Sequence, residues 1–447
     1  MKLSRRSFLG KLSLLAPFSS LTPYYFSSPS TFLAANQSAN DRFSIGFIGC
    51  GGMGWGDVHE LANFGNIVAL CDVDDQRTAR YKNDEKLCPK QQDVLVSRDY
   101  RKVLDRNDIE IIGISTCDHW HTKIAVEALL AGKHVFCQKP LTLTIEENQL
   151  IRKAVEKTGK QFLVGTQQRT DRNYFMVATA MIRKGLLGDI QKINVYLNKG
   201  KPQGPFQTAT PPDSFDWNQW LGQAPEVDYI PQRTHGTFRY WLDYSGGLLT
   251  DWGAHHVDCA QWAVGEDQIG CGPVEIDGTD CSHSSPLDEK GYPVENNRFN
   301  TAIDFNIKCQ FASGLKMNVQ TSDDNGILFE GTEGRIFVNR GKISGKPIED
   351  NLHKQITEDD LVALNHGKPV EWTKQNFVRC IQEGGLPSSD VFSHTISMNT
   401  CHLCVIAGRL KRVIQWNPQT ETIIGDEQAA AFLSRPQRKG FELPKVD

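Results

Sequence analysis

The run Phe43-Ser44-Ile45-Gly46-Phe47-Ile48 passes without a linker into Gly49-Cys50-Gly51-Gly52-Met53-Gly54, so a buried strand must turn at once into a helix. Few backbones can do this. In the GxGxxG spacing Gly49 permits the tight turn, Gly51 lets the backbone approach a pyrophosphate, and Gly54 lets the new helix lie close on the strand. Gly52 and Met53 complete the loop, whose free amides and helix dipole suit phosphate. In a chain with 38 glycines such a match arises by chance, and context decides its meaning. A second apolar strand, Ile67 to Cys71, ends in Asp72. That acid lies about twenty residues past the glycines, where a carboxylate holds adenosine ribose hydroxyls. Alone, Asp72 reads equally as a helix N-cap. Strand, loop, helix, strand and acid in this order favour a dinucleotide site. Asp74 and Asp75 would repel a 2′-phosphate, which predicts NAD with NADP as the alternative.

An address precedes this domain. Ser4-Arg5-Arg6-Ser7-Phe8-Leu9-Gly10-Lys11 is a twin-arginine pattern, followed by an apolar stretch from Leu12 to Leu21 and no acid before Asp41. Pro17 and Pro23 break the stretch, which falls short of the roughly twenty apolar residues of a membrane span. We expect residues 1–35 to be a twin-arginine signal peptide and the protein to be periplasmic, exported already folded around its nucleotide. Losing Lys2, Arg5, Arg6 and Lys11 makes the formal net charge of −4 more negative by four. An acidic surface gives no reason to expect nucleic acid as a partner.

The 12 cysteines are scattered, several in strand-like runs, and read as buried thiols rather than a disulfide framework. Cys401-His402-Leu403-Cys404 has CxxC spacing, but it has no second pair and its surroundings read as an apolar helix, so no metal is expected.

After Asp72 strands and helices alternate. Ile109 to Ser115 reads as a strand, Asp118 caps a helix to Leu130 that Gly132 stops, and His134 to Cys137 is the next strand. Thr144-Ile145-Glu146-Glu147 is a capping box opening a helix to Thr158, and Phe162 to Val164 is the last strand. This is an α/β Rossmann domain with a parallel sheet, over residues 41–165, its ligand crevice at the strand carboxyl ends. Thr116 and Gln138 fall at such ends. From about Gly165 the pattern turns to β-rich runs at Ile190–Leu197, Val274–Thr279, Thr301–Phe311, Leu315–Thr321, Ile327–Glu330 and Arg335–Val338. Residues 166–447 are therefore expected to form an α+β substrate domain with a large, mostly antiparallel sheet, one face of it flooring the substrate. The Pro-, Gly- and Thr-rich segment from Lys199 to Asp216 is expected to cover or border a site.

Gly49 to Gly54, Ala131-Gly132-Lys133-His134-Val135-Phe136-Cys137-Gln138-Lys139-Pro140, and Gly246-Gly247-Leu248-Leu249-Thr250-Asp251-Trp252-Gly253-Ala254-His255-His256 together resemble the glucose-fructose oxidoreductase/inositol dehydrogenase (Gfo/Idh/MocA) family. The likeness extends over nearly all of the chain after its leader. Phe238 to Ser245 makes the exported bacterial branch the most similar. The family usually has Glu-Lys-Pro where this chain has Gln138-Lys139-Pro140, and commonly proline where it has Cys117.

The resemblance implies Lys139, Asp251 and His255 at the nicotinamide. His255 would be the general base that takes a proton as a hydride leaves a secondary alcohol, an ordinary imidazole titrating near neutrality. Lys139 would hydrogen-bond the reacting oxygen, and would also touch the cofactor. Asp251, four residues before His255, would share its helical face and orient substrate or tune the imidazole. The structural alternatives are a helix cap for Asp251 and a satisfied core histidine for His255. His121 is a weaker cofactor candidate at a helix end, and His394 is weaker still. Arg239, Tyr240, Trp241, Asp243 and Tyr244 combine flat apolar faces with polar groups, as sugar recognition requires. Gln168 and Arg169 at the domain junction join them as substrate candidates, and His256 reads as substrate-facing or supporting.

Three function classes follow. The favoured one is an NAD(P)-dependent oxidoreductase acting on a hydroxyl or keto group of a sugar, glycoside or polyol, C3 being the favoured carbon. The second is an NAD-dependent glycosidase working by transient oxidation and elimination, although the Tyr-Pro-Thr-His-like segment of that branch is missing. The third is a cofactor-bearing binding protein without turnover. A homo-oligomer through the C-terminal sheet is expected.

Overall fold

The computed structural model describes residues 42–90 and 93–446; the twin-arginine leader expected over residues 1–35 lies outside them. The first sheet is built from β1 (Phe43–Ile48), β2 (Gly65–Cys71), β3 (Leu95–Ser97), β4 (Ile111–Ile114), β5 (His134–Cys137) and β6 (Phe162–Val164). Its order is β3-β2-β1-β4-β5-β6, and every pairing is parallel. The longer helices are α1 (Gly52–Leu61), α2 (Asp75–Lys82), α3 (Asp118–Leu130) and α4 (Ile145–Thr158). Alternate strand residues serve opposite faces, as the pleat dictates. Ile45, Phe47 and Ile111 meet Val58 and Leu61 of α1, while Ile48, Ile112 and Ile114 meet Ile124 and Val126 of α3 and Ile151 of α4.

Two helix starts differ from the sequence expectation. Cys117 is the N-cap of α3 and Asp118 is its first helical residue, with no side-chain cap. Thr144 caps α4 by accepting from Glu147 N–H, but the Glu147 carboxylate reaches back to Leu143 N–H (2.8 Å) instead of closing a capping box.

The second sheet is larger. α5 (Phe175–Arg183) precedes β7 (Ile190–Leu197). α6 (Gly253–Val264) is followed by β8 (Pro273–Asp277), β9 (Cys281–His283), β10 (Ala302–Phe311), β11 (Lys316–Thr321), β12 (Gly326–Gly331), β13 (Arg335–Val338) and β14 (Ile343–Ser344). α7 (Thr373–Glu383), α8 (Val391–Leu410), β15 (Val413–Asn417) and β16 (Thr422–Ile424) complete it. The order is β14-β13-β12-β7-β11-β10-β8-β15-β16, with β9 on β10; β7 and β11 are parallel and the other pairs antiparallel. One face, with Ile193, Val195, Ile307, Val319 and Phe329, is sealed by α5, α6 and α8. The opposite face is mixed: Asn194 donates to Glu330 and accepts from Asn318 and Gln320, while Leu328 stands beside it and Tyr196 lies near Phe337.

The chain then returns to the first sheet. Phe377 of α7 joins the core on the α1 side, and Val391 joins the α3/α4 side. Cys401 and Cys404 lie buried in α8, with Cys404 Sγ 3.8 Å from Cys309 Sγ. No described helix is long and apolar enough to cross a membrane.

Candidate active site

A cavity of about 470 Å³ opens at the carboxyl ends of β1, β2, β4 and β5. Gly49, Gly51, Gly52, Met53, Asp72, Thr116, Gln138, Lys139, Arg239 and Asp251 all line it. The glycines divide the labour by geometry. Gly49 has φ +96°, and a Cβ there would stand 2.5 Å from the Ser115 backbone. Gly54 turns inward, where a Cβ would lie 2.3 Å from Gly49 O. A Cβ at Gly51 or Gly52 would meet nothing within 4 Å, and no side chain caps α1. That open cradle of uncapped amides at a helix start fits a dinucleotide pyrophosphate.

Asp72 braces the loop from the end of β2. Its Oδ2 accepts from Cys50 N–H (2.7 Å) and its Oδ1 from Asp74 N–H (2.9 Å). Burial pushes its carboxyl up to about 6 against the pull of those amides. Arg77 and Arg98 also line this end. Both are engaged, Arg77 Nε 3.8 Å from Asp74 and Arg98 Nε donating to Asp75 at 2.8 Å.

A strap from the second half closes over this end. Asp216 N–H donates to Val73 O and Asp75 N–H to Ser214 O, each at 2.9 Å, and Asp74 and Phe215 form an antiparallel bridge. Arg98 Nη2 adds a bond to Asp213 O (3.1 Å). Phe215, Trp220, His235 and Phe238 roof the cavity, so the end of the Lys199 to Asp216 segment does border it. The second sheet does not floor it. No strand of that sheet contributes a lining residue, because its apolar face is taken by α5, α6 and α8.

At the other end Lys139 Nζ donates to Asp251 Oδ1 (2.8 Å) and Asp251 O (3.0 Å). Asp251 closes a short helix, Leu248–Asp251, and also lies 3.5 Å from Arg239 Nε. Burial alone would raise its carboxyl, but Lys139 and Arg239 hold it below the usual carboxylate range. Gln138 Nε2 donates to Asp57 Oδ2 (2.9 Å) behind the glycine loop. A glutamate at this position would set a second carboxylate against Asp57, whereas glutamine donates. Asp57 also accepts from Ser115 Oγ (2.9 Å) and from Lys374 Nζ (2.8 Å) of α7.

His255 follows in the first turn of α6, after a break at Trp252, with no cavity-lining position and with Nδ1 buried and unpartnered. Burial, then Lys139 and Arg340, push its imidazole well below the ordinary value, which corrects the expectation of titration near neutrality. Burial thus favours its neutral form.

Other expected contacts stand back from the cavity wall. His121 is buried between Pro140 O (2.6 Å) and Thr116 O (3.2 Å), tying two cavity segments together from behind. Arg169 donates through all three nitrogens within the protein, to both oxygens of Asp258 and to Ser393 Oγ, and at 2% exposed it offers nothing to a sugar. His256 is held between Gln168 and Asn325. Tyr244 is fully buried with its hydroxyl on Arg233 (2.9 Å), Asp243 also faces Arg233 (3.3 Å), and Tyr240 packs on Phe299. Buried Arg233, stacked 4.1 Å over Trp241, thus absorbs the polar groups that looked free in sequence. Of that cluster only Arg239 reaches the cavity.

Models of an oxidoreductase family match both halves of the chain, its NAD-binding Rossmann fold over residues 43–166 and its C-terminal alpha/beta domain over residues 195–443. A glycosyl hydrolase family 109 protein of Shewanella pealeana is 31% identical over 205 residues, 42% of this chain and 45% of that protein. An alpha-N-acetylgalactosaminidase of Shewanella oneidensis is 32% identical over 154 residues, 33% of each chain. The chain thus spans less than half the length of these curated relatives. The aldose-aldose oxidoreductase of Caulobacter crescentus shares the fold at TM-score 0.55 and 17% identity, covering 84% of this chain and 99% of that one. So does the WlbA dehydrogenase of Bordetella pertussis, solved with NADH and UDP-GlcNAcA, at TM-score 0.56, 15% identity, 84% and 98%.

Proposed function

The chain belongs to the Gfo/Idh/MocA oxidoreductase family, with an NAD-binding Rossmann domain, and from that premise we propose that it is a sugar or polyol oxidoreductase that keeps its nucleotide between turnovers. The observation that carries the reading is the Lys139–Asp251 pair, set in the same cavity as the open glycine cradle. Gly51, Gly52 and Asp72 would hold NAD, which would supply a hydride acceptor for the substrate. The chain's own residues manage the oxygen. The Lys139 ammonium has three donors and spends two on Asp251, so one remains for the reacting oxygen and favours alkoxide character. Asp251, held ionised, keeps that ammonium in place. We assign the hydroxyl proton to His255, whose burial favours the neutral imidazole and whose Nδ1 is unpartnered; it stands behind the cavity wall, so bound substrate must reach past that wall to the first turn of α6.

Retention is supported by the strap, which must release the turn between β2 and α2 before an adenosine moiety can leave. It suits a periplasmic protein, the location we propose from Arg5 and Arg6, because no NAD pool exists there to replace a lost cofactor. Replacing both arginines by lysine is expected to leave the protein in the cytoplasm; unchanged export removes this part of the proposal. The main test is to purify the protein without added nucleotide and supply a glycoside with a keto-sugar or an artificial electron acceptor. Sustained turnover is expected. Activity only with added, freely exchanging NAD refutes retention. Arg98→Ala, which loosens the strap, is expected to release bound nucleotide several-fold faster, as loss of roughly 1 kcal/mol of polar contact implies.

The family 109 relatives support a second reading, a glycosidase. There oxidation at one carbon acidifies the neighbouring C–H, the glycosidic bond is eliminated, and re-reduction restores the nucleotide. Free sugar released from a nitrophenyl glycoside with no added acceptor and no net nucleotide reduction would select this reading.

A further inference from the structure

One cavity residue is used by neither the nucleotide cradle nor the Lys139–Asp251 pair. Asp118 begins α3 immediately beyond β4, caps nothing, and is 3% exposed. It lines the cavity, and its Oδ2 has no hydrogen-bond partner. A buried carboxylate oxygen without a donor costs free energy that a folded protein ordinarily avoids, and such groups persist where a ligand completes them. We propose that Asp118 binds a hydroxyl of the sugar, one other than the hydroxyl being oxidised, and thereby selects which polyols the cavity accepts. This deepens the oxidoreductase reading above and rests on it.

The chemistry of the surroundings picks out the ligand group. The cations of this wall, Lys139 and Arg239, are already directed at Asp251, and an anionic ligand would be repelled by two carboxylates. Burial pushes the Asp118 carboxyl up to about 7, the Ser245 hydroxyl opposing, Asp251 adding, and Arg239 and Lys139 opposing. A hydroxyl suits a group that exchanges between acid and carboxylate near neutrality, because it can donate to one and accept from the other. The location favours substrate over cofactor. Of the groups facing Asp118, Arg239, Ser245 and Asp251 belong to the second half of the chain and Lys139 is the residue assigned to the reacting oxygen, whereas the pyrophosphate cradle lies at Gly51 and Gly52.

The test uses the nucleotide-loaded protein, with methyl β-D-glucopyranoside and its 2-, 3-, 4- and 6-deoxy analogues as probes. Binding is measured by calorimetry in wild type, Asp118→Asn and Asp118→Ala. Loss of a hydrogen bond to a charged group predicts roughly ten- to a hundredfold weaker glucoside binding in Asp118→Ala. Asp118→Asn, which can still accept, is expected to recover part of it. One deoxy analogue is expected to bind wild type and Asp118→Ala equally, the signature of a direct pair. Nucleotide content and melting temperature stay at wild-type level or rise, since an orphan carboxylate has been removed. Equal glucoside binding by wild type and Asp118→Ala overturns the proposal. So does loss of nucleotide in place of sugar, which assigns Asp118 to the ribose, or a lower melting temperature with unchanged binding, which assigns it to folding. A wild type that binds none of the sugars overturns the oxidoreductase reading as well, which tells the two failures apart.

Discussion

Asp251 and Asp258 stand seven positions apart on the same stretch of chain, and each holds a buried cation, yet the two pairs differ in kind. Arg169 meets Asp258 with both sides of its fork, at 2.7 and 2.8 Å, and Ser393 with the remaining nitrogen. His394 Nδ1 lies 2.9 Å from Asp258, Asp267 stands 3.4 Å from Arg169, and neither Arg169 nor Asp258 side chain is more than 1% exposed. Burial would raise the Asp258 carboxyl, but Arg169 and His394 bring it down to about 2. Lys139 and Asp251 are each 12% exposed and border the cavity, and the ammonium keeps a spare donor. A fully buried pair fixes a core; a pair that borders a cavity with a donor to spare can bind something. Arginine suits the first task because its planar fork is consumed by a carboxylate, and lysine suits the second because its three donors need not share a plane.

The comparison breaks if the two pairs respond alike to truncation. Arg169→Ala leaves Asp258 charged and buried, and is expected to cost about 3–5 kcal/mol of stability, read in denaturant unfolding. Lys139→Ala is expected to cost about 1 kcal/mol or less of stability but at least roughly a hundredfold in turnover, as removal of a group aimed at developing charge does. A Lys139→Ala protein that turns over normally takes Lys139 out of the mechanism, and one as unstable as Arg169→Ala makes both pairs structural.

In the sequence Arg169 stood out only as a charged residue at the domain junction, and Asp251 only through the family resemblance. The glycine loop and Asp72 were legible because strand, turn and acid follow one another within a short span and each constrains the backbone; the role of Lys139 came from the family resemblance. The role of Arg169 was not legible, since its partners Asp258 and Ser393 lie 89 and 224 residues away. The roof of Phe215, Trp220 and His235 was equally remote, and only the Pro- and Gly-rich composition before it hinted at a border. Asp118 was hidden for another reason. An aspartate at a helix start reads as a cap, and whether its carboxylate folds back on the helix or faces a cavity is decided by packing. The ordinary titration expected of His255 failed because a sequence does not report burial.

A smaller effect sharpens the contrast between carboxylates. Asp72 has a raised pKa of about 6, so its acid form is favoured by the fold, and the stability it contributes is present at low pH and lost as pH rises from about 4 through 6. Ribose hydroxyls need the carboxylate as acceptor. Nucleotide affinity is therefore expected to be flat above about pH 6 and to fall by up to roughly tenfold per unit below it, measured by NADH fluorescence titration. Asp251, held below the usual range, contributes the opposite sign and should add nothing to that profile above about pH 4.

The anchoring of Asp57 by Lys374 ties the order of synthesis to the order of assembly. The two residues are 317 positions apart, and their contact braces the helix that leaves the glycine loop. A ribosome adding about 5–20 residues per second makes α1 roughly 15–60 s before α7. During that interval the nucleotide-binding half has strands and crossovers but no bolt behind its phosphate loop, and closing so long a span is slow in its own right. Cofactor capture in final form belongs to the end of translation, when a chaperone or an export machine that inspects finished molecules would first meet a protein worth passing.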